Sequence, residues 1–255
     1  MIMLKTGSEL KIMREANRII AVILTEIEDK IKPGVSTYDL DQWAEQRLAS
    51  MNARPAFKGY GGRGGRKGFP NTLCVAVNEV VVHGIPSPED ILQEGDIIGI
   101  DVGSIYKGYY GDGAYTYPVG QISAQAQALM TCCQEALDLG VGQARVGHRI
   151  SDISDIIDKH VRSRGFEIVR DLTGHGIGKD LHEDPQIPNY TNGKKGQKIK
   201  ACMTLAIEPM ITNGTYRVKT LPDNWTVVTE DGSLSAHYEH TIAITDNGPE
   251  ILTRL

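Results

Sequence analysis

The sequence predicts an α+β protein with antiparallel strand pairing, and three observations carry that prediction. Two helix-forming segments open the chain. Strand-like runs then follow one another with no helix between them. The same order, two helices and then a run of strands, recurs after residue 120. Strict alternation of strand and helix would read as a parallel doubly wound sheet, whereas runs of strands beside runs of helices read as α+β. No short repeat accompanies the recurrence, so the two related halves rest on element order alone. No linker rich in Pro, Gly or Ser divides the 255 residues, which are expected to form a single domain spanning 1–255.

Residues 8–31 read as an amphipathic helix capped by Ser8. Ile12, Met13, Ala16, Ile19, Ile20, Ile23, Leu24, Ile27 and Ile31 recur at helical spacing, and Pro33-Gly34 ends the run. A second helix is expected over 37–51, with Leu40, Trp43, Ala44, Arg47 and Leu48 on one side. A glycine-rich insertion follows at about 59–68. Strands are expected at 72–83, 96–102, 105–110 and 113–119, helices at 123–139 and 151–164, and strands again at 166–171, 203–211, 216–219, 225–228 and 236–245.

The bulk numbers narrow the function. Hydrophobic residues make up 40% and charged residues 23%, as in soluble globular chains. Lys and Arg number 27 against 32 Asp and Glu, so the net charge of −5 recommends neither specific nucleic acid nor an anionic membrane as partner. No run approaches the roughly 20 apolar residues of a membrane span. Cys74, Cys132, Cys133 and Cys202 form no CxxC pair, and "MIMLKTGSEL" lacks the pattern of a secretory signal. The expectation is reduced thiols in a cytoplasmic protein.

The stretch "GIDVGSIYKGYYGDGAY" places Asp101 behind an apolar run and Asp112 eleven positions later. If 97–103 and 110–117 form a hairpin whose turn centres on 106–107 or 107–108, the two carboxylates are opposite or diagonal neighbours on one face. An odd-length turn would separate them. Two such acids share a proton, bind a cation, or sit at strand ends in water. The second half weighs on this choice. "DLTGHGIGKDLHEDP" holds His175 and His182 among glycines, "LAIEPMI" embeds Glu208 in an apolar run, and "SAHYEHTIAIT" places Glu239 before another. Each is unremarkable alone. Four acids in strand-core contexts would cost several kcal/mol apiece without compensation. Two divalent ions cancel the four charges of Asp101, Asp112, Glu208 and Glu239, and His175 adds a neutral nitrogen. Oxygen donors with one imidazole suit Co, Mn, Fe or Zn. Two such ions about 3.5–4 Å apart activate water against a carbonyl or phosphoryl group.

In order and spacing, "NEVVVHGIP", "IDVGSIYKGYYGD", "GHGIGKDLHEDP", "AIEPM" and "WTVVTEDGSLSAHYEHT" resemble the motifs of the type I methionine aminopeptidases, over nearly the whole chain. The resemblance implies the pita-bread fold of the creatinase/aminopeptidase group, two pseudo-symmetric halves with antiparallel sheets covered by helices. It implies that Asp101 holds one metal ion, that His175 and Glu208 hold the other, and that Asp112 and Glu239 bridge both. Glu208 would take and relay the proton of the attacking water. His182 would stabilise oxygen charge, and His83 would contact the scissile amide or the substrate's amino end. Cys74, Phe69, Tyr60 and Trp225 match the methionine pocket. The substrates implied are nascent polypeptide N-termini with a small second residue. The protein is expected to be a monomer in transient contact with the ribosome.

Departures from the family pattern bear on the pocket. Relatives often have cysteine where Phe57 falls, phenylalanine where Leu181 stands, and hydroxyl side chains at Gly103 and at Gly113–Ala114. Arg63, Arg66 and Lys67 of the insertion form a small basic cluster that could touch ribosomal RNA or simply be solvated. "GYGGRG" spells a dinucleotide-type glycine pattern, but it follows no strand and opens no helix. Two rivals remain. An Xaa-Pro aminopeptidase or dipeptidase of the same fold usually carries a large extra N-terminal domain. A non-catalytic ribosome-associated protein would lack at least one ligand, and all five are present.

Overall fold

The computed structural model describes residues 2–62 and 67–255. Arg63 and Arg66 therefore lie outside the described residues; Lys67 is exposed. The helices are α1 (Gly7–Ile27), α2 (Thr37–Ser50), α3 (Ala124–Gln143) and α4 (Ile150–Ser163). First-half strands are β1 (Arg54–Pro55), β2 (Leu73–Val77), β3 (Val80–Val82), β4 (Ile97–Tyr106) and β5 (Tyr109–Pro118). Those of the second half are β6 (Glu167–Ile168), β7 (Thr173–Gly176), β8 (Glu183–Pro188), β9 (Thr204–Ile207), β10 (Met210–Thr212), β11 (Val218–Thr220), β12 (Val227–Thr229), β13 (Ser235–His237), β14 (Glu239–Thr245) and β15 (Gly248–Ile251).

Helix α1 starts at a capping box rather than at Ser8. Thr6 Oγ1 accepts from Glu9 N at 3.3 Å, and the Glu9 carboxylate accepts from Thr6 N at 2.8 Å, which satisfies two orphan donors at once. On α2, Arg47 does not join the apolar face: its guanidinium makes two bonds to Glu26 of α1, at 2.6 and 2.8 Å. The buried side includes Leu40, Asp41, Ala44 and Leu48. Asp41 accepts from the backbone N–H groups of Thr72 and Leu73, which fixes the start of β2.

Strands β1-β4-β5-β14-β9-β7-β8 form one antiparallel sheet, with β2 also on β4 and β15 on β14. Within this sheet the β5–β14 pair is the seam between the halves, and β3 pairs with β12 across them in a second sheet. Each half has its own core. Ile20, Leu24, Leu40 and Leu48 pack on Ile98, Ile100 and Val102 in one; Leu129, Leu137, Ile153 and Ile157 pack with Leu205, Ile207 and Ile242 in the other.

Several expected strands break where the chain must turn. The run 72–83 divides at Asn78-Glu79, with Asn78 at φ 52, into β2 and β3. The expected strand 203–211 divides at Glu208-Pro209 into β9 and β10, because proline has no N–H to give the ladder. The run 236–245 divides at Tyr238. Of 166–171, only Glu167–Ile168 pairs. Strands β7 and β8, absent from the sequence reading, fill the glycine-bearing segment around the two histidines. Among the described residues no helix is long and apolar enough to cross a membrane.

Candidate metal centre

The β4–β5 hairpin turns on Lys107 and Gly108, at φ 48 and 81, a two-residue turn of the kind that matches strand twist. It continues both strands through the gap expected at 103–104 and 111–112. This turn sets Asp101 opposite Ala114 and Gly103 opposite Asp112, so the two aspartates are diagonal neighbours on one face.

Pairing parity then carries that face across the sheet. Ala114 also pairs with Glu239 on β14. Thr241, two residues on, pairs with Ala206 of β9, and Ala206 pairs with His175 of β7. Glu208 lies two residues beyond Ala206. Directly opposite residues share a face, and so do residues two apart. Asp101, Asp112, Glu239, Glu208 and His175 therefore all stand on the same side, drawn from both halves of the molecule.

Asp112, Glu239 and His175 are buried. Each offers an atom, and these atoms lie within 4.8 Å of one another. His175 Nδ1 is 2.9 Å from the Gly176 carbonyl, to which it can only donate, so Nε2 keeps its lone pair. That nitrogen lies 3.3 Å from Glu208 Oε1 and 3.9 Å from Asp112 Oδ2. The contact is not an ion pair: burial, reinforced by His182, holds His175 neutral with its pKa lowered to about 3.

A neutral lone pair facing carboxylate oxygens calls for a proton or a cation between them. The orphaned atoms say the same, since Asp101 Oδ1, Asp112 Oδ1 and Glu239 Oε1 are buried with no hydrogen-bond partner. Burial lifts the Asp101 pKa to about 8. Burial, and after it the neighbouring acids' charges, pushes Asp112, Glu208 and Glu239 well above the carboxylate range. A divalent ion reverses that balance, and the donor set of carboxylates plus one imidazole nitrogen fits one.

Above the acids lies a cavity of about 130 Å³. Cys74, directly opposite Asp101, forms part of its wall, and burial and the adjacent acids keep the thiol protonated. Phe69 and Trp225 meet edge to face, centroids 5.3 Å apart. Phe57 and Leu181 complete the apolar wall, beyond the four pocket residues proposed from sequence. His83 and His182 line the cavity too. His83 stands at φ 60, a rare conformation outside glycine, just past β3. Burial, and then His182, lowers its pKa to about 4, and burial also lowers that of His182.

All eleven residues singled out in the sequence thus border one cavity. Sequence reasoning missed the anchor of the His182 loop, the buried pair Lys5–Glu183. Its signal was a lone lysine in the apolar opening "MIMLKT".

An antiparallel sheet gathering buried metal-type ligands on one face fits a metal-dependent enzyme, and likeness to known proteins gives its class. The model of metallopeptidase family M24 matches residues 11–246, and the chain belongs to that family. It has the pita-bread fold. Methionine aminopeptidase from Clostridium acetobutylicum is 51% identical over 253 residues, 99% of each chain. The crystal structure of methionine aminopeptidase from Thermotoga maritima superposes with a TM-score of 0.96 at 45% identity, covering both chains fully. A prolidase from Pyrococcus furiosus shares the fold, with a TM-score of 0.78 at 22% identity; the match covers 99% of this chain and 65% of the prolidase.

Proposed function

We propose that the chain removes the N-terminal methionine from nascent polypeptides in the cytoplasm, preferentially before a small uncharged residue, with two divalent ions among Co, Mn, Fe and Zn. The observation that carries this reading is the cluster of orphaned acceptor atoms on one sheet face, beneath an apolar wall. Full-length similarity to methionine aminopeptidases supports it.

Asp101, Asp112, His175, Glu208 and Glu239 would hold the ions. When bound, the ions neutralise the acids, polarise the scissile carbonyl and make water a nucleophile near neutral pH. Glu208, at the edge of β9, accepts the proton of the attacking water and passes it to the leaving amine. His182 donates to the carbonyl oxygen as charge develops there. His83 contacts the scissile amide. Phe57, Tyr60, Phe69, Cys74, Leu181 and Trp225 enclose the methionine side chain, whose polarizable thioether suits aromatic walls. The acid-rich floor favours a free α-amine, which selects chain ends.

The test is hydrolysis of Met-Ala-Ser, Leu-Ala-Ser and Ala-Pro peptides by metal-stripped and reconstituted protein. The expected result is metal-dependent cleavage of Met-Ala-Ser above the other two. Cleavage of the proline peptide but not the methionine one would overturn the reading in favour of an Xaa-Pro peptidase. No cleavage with any metal would favour a non-catalytic, ribosome-associated role.

A further inference from the structure

His182 Nδ1 lies 2.5 Å from the Tyr60 hydroxyl. We propose that Tyr60 is a positioning residue: its hydroxyl donates to Nδ1 and so fixes the His182 tautomer with the proton on Nε2, the nitrogen left to donate to a substrate oxygen. The catalytic half of this claim rests on the role given to His182 above; the tautomer half does not.

The two groups decide the direction of the bond. A phenol is the stronger acid and the imidazole nitrogen the stronger base, with reference pKa values of about 10 and about 6.5, so O–H donates to N. The reverse bond would spend the ring's one proton on a poor acceptor and turn a lone pair toward the substrate oxygen. The neighbourhood leaves the ring little freedom to swap its nitrogens. Tyr60 meets it edge-on at 5.3 Å between centroids, and His175 packs from another direction at 4.3 Å. His175 cannot take over the task, because its own Nδ1 is engaged with Gly176.

Tyr60 is itself fixed at the root of the glycine-rich insertion. Gly59 N donates to Phe69 O at 2.7 Å, and Phe69 N donates to Tyr60 O at 2.9 Å. Tyr60 N also bonds Phe57 O at 2.8 Å. The backbone that carries two pocket aromatics thus also carries the group that orients His182. A tyrosine acting only as an apolar wall would not need its hydroxyl, and that difference is testable.

The experiment uses the zinc-loaded enzyme, which is diamagnetic, with ¹⁵N-labelled histidine. Long-range ¹H–¹⁵N correlation reads each ring's tautomer, and the His182→Gln spectrum assigns the His182 peaks. The expected wild-type result is a bare Nδ1 and a protonated Nε2. Tyr60→Phe keeps the ring but should give a mixture of tautomers. It should also lower kcat on Met-Ala-Ser about tenfold, as loss of such an orienting partner does, with KM little changed. Tyr60→Leu removes wall and hydroxyl together and should raise KM as well. A wild-type His182 protonated on Nδ1 overturns the proposal. So does a Tyr60→Phe enzyme with unchanged tautomer and unchanged kcat. If the tautomers behave as expected while no peptide is cleaved, the tautomer assignment stands and the functional reading alone falls.

Discussion

Replacing Lys5 with methionine should cost far more than a surface lysine normally does. Lys5 Nζ donates to Glu183 Oε2 at 2.6 Å, with the two side chains only 4% and 8% exposed. It also donates to the Met3 carbonyl at 3.0 Å. The other Glu183 oxygen, Oε1, accepts from Lys179 N at 2.8 Å and Asp180 N at 3.4 Å. One carboxylate therefore holds the turn before His182 and neutralises a buried cation. Breaking such a pair from one side costs about 3–5 kcal/mol, because a charge is left buried without its partner. Oε1 keeps its backbone donors in the variant, so the lower end applies, about 3 kcal/mol. At roughly 2–4 °C per kcal/mol for a chain near this size, Tm should fall by roughly 6–12 °C. Calorimetry and urea titration of Lys5→Met, Glu183→Gln and the double variant provide the assay. The double variant should be more stable than the sum of the single losses implies. A Lys5→Met loss below about 1 kcal/mol, the range of an exposed pair, would refute the reasoning.

Glu208→Gln should fold normally and lower kcat by about 10²–10⁴-fold on Met-Ala-Ser; unchanged turnover would remove Glu208 from proton transfer. In metal-stripped protein the raised pKa of Asp101, about 8, makes its contribution to stability greatest below about pH 4 and lost as pH rises through 8. Urea midpoints of Asp101→Asn and wild type, both metal-free, should therefore converge near pH 4, with the variant ahead at pH 8.5; a gap that instead widens in acid would contradict the assigned burial. A side chain at Gly103 would start 2.7 Å from both Ala56 Cβ and Phe57 Cε1. Gly103→Ser should thus destabilise by about 1–3 kcal/mol, and Phe57→Cys in the same chain should recover only the part due to the ring, with the Ala56 contact left, as thermal unfolding would report.

That last pair shows what the sequence could and could not disclose. Phe57 and Gly103 looked like two unrelated departures from the family pattern. In the structure they meet, the Phe57 ring together with Ala56 Cβ taking the space that a side chain at 103 would need. The acids were legible because charge inside an apolar run is conspicuous, whatever the exact strand limits. Their register was legible only as alternatives, and Lys107-Gly108 at positive φ chose between them. Strands β7 and β8 were invisible because "TGHG" and "EDPQIP" have the composition of loops. Those glycines mark close backbone approach instead: a Cβ at Gly174 would lie 2.5 Å from the Ala206 carbonyl oxygen, and one at Gly176 would run into Asp184. The Lys5–Glu183 pair spans 178 positions, and no local pattern joins its partners.

The seam between the halves explains why the acids can be so deeply buried. Asp101 and Asp112 come from β4 and β5, while Glu239, Glu208 and His175 come from β14, the end of β9 and β7. In the sheet that carries them, the β5–β14 pairing, through Ala114 opposite Glu239, brings the two sets onto one surface. Cation binding therefore favours the state in which both halves are folded and paired, and the folding free energy of the seam is linked to occupancy of the site. The same linkage places the centre on paired strands rather than on loops. Ladder hydrogen bonds fix the backbone beneath four of the five residues proposed as ligands, and the fifth, Glu208, is held by the Asn189 side chain donating to its carbonyl at 3.0 Å. The residue assigned the moving proton is thus the one whose backbone has left the ladder, with Pro209 behind it preventing a return to regular pairing.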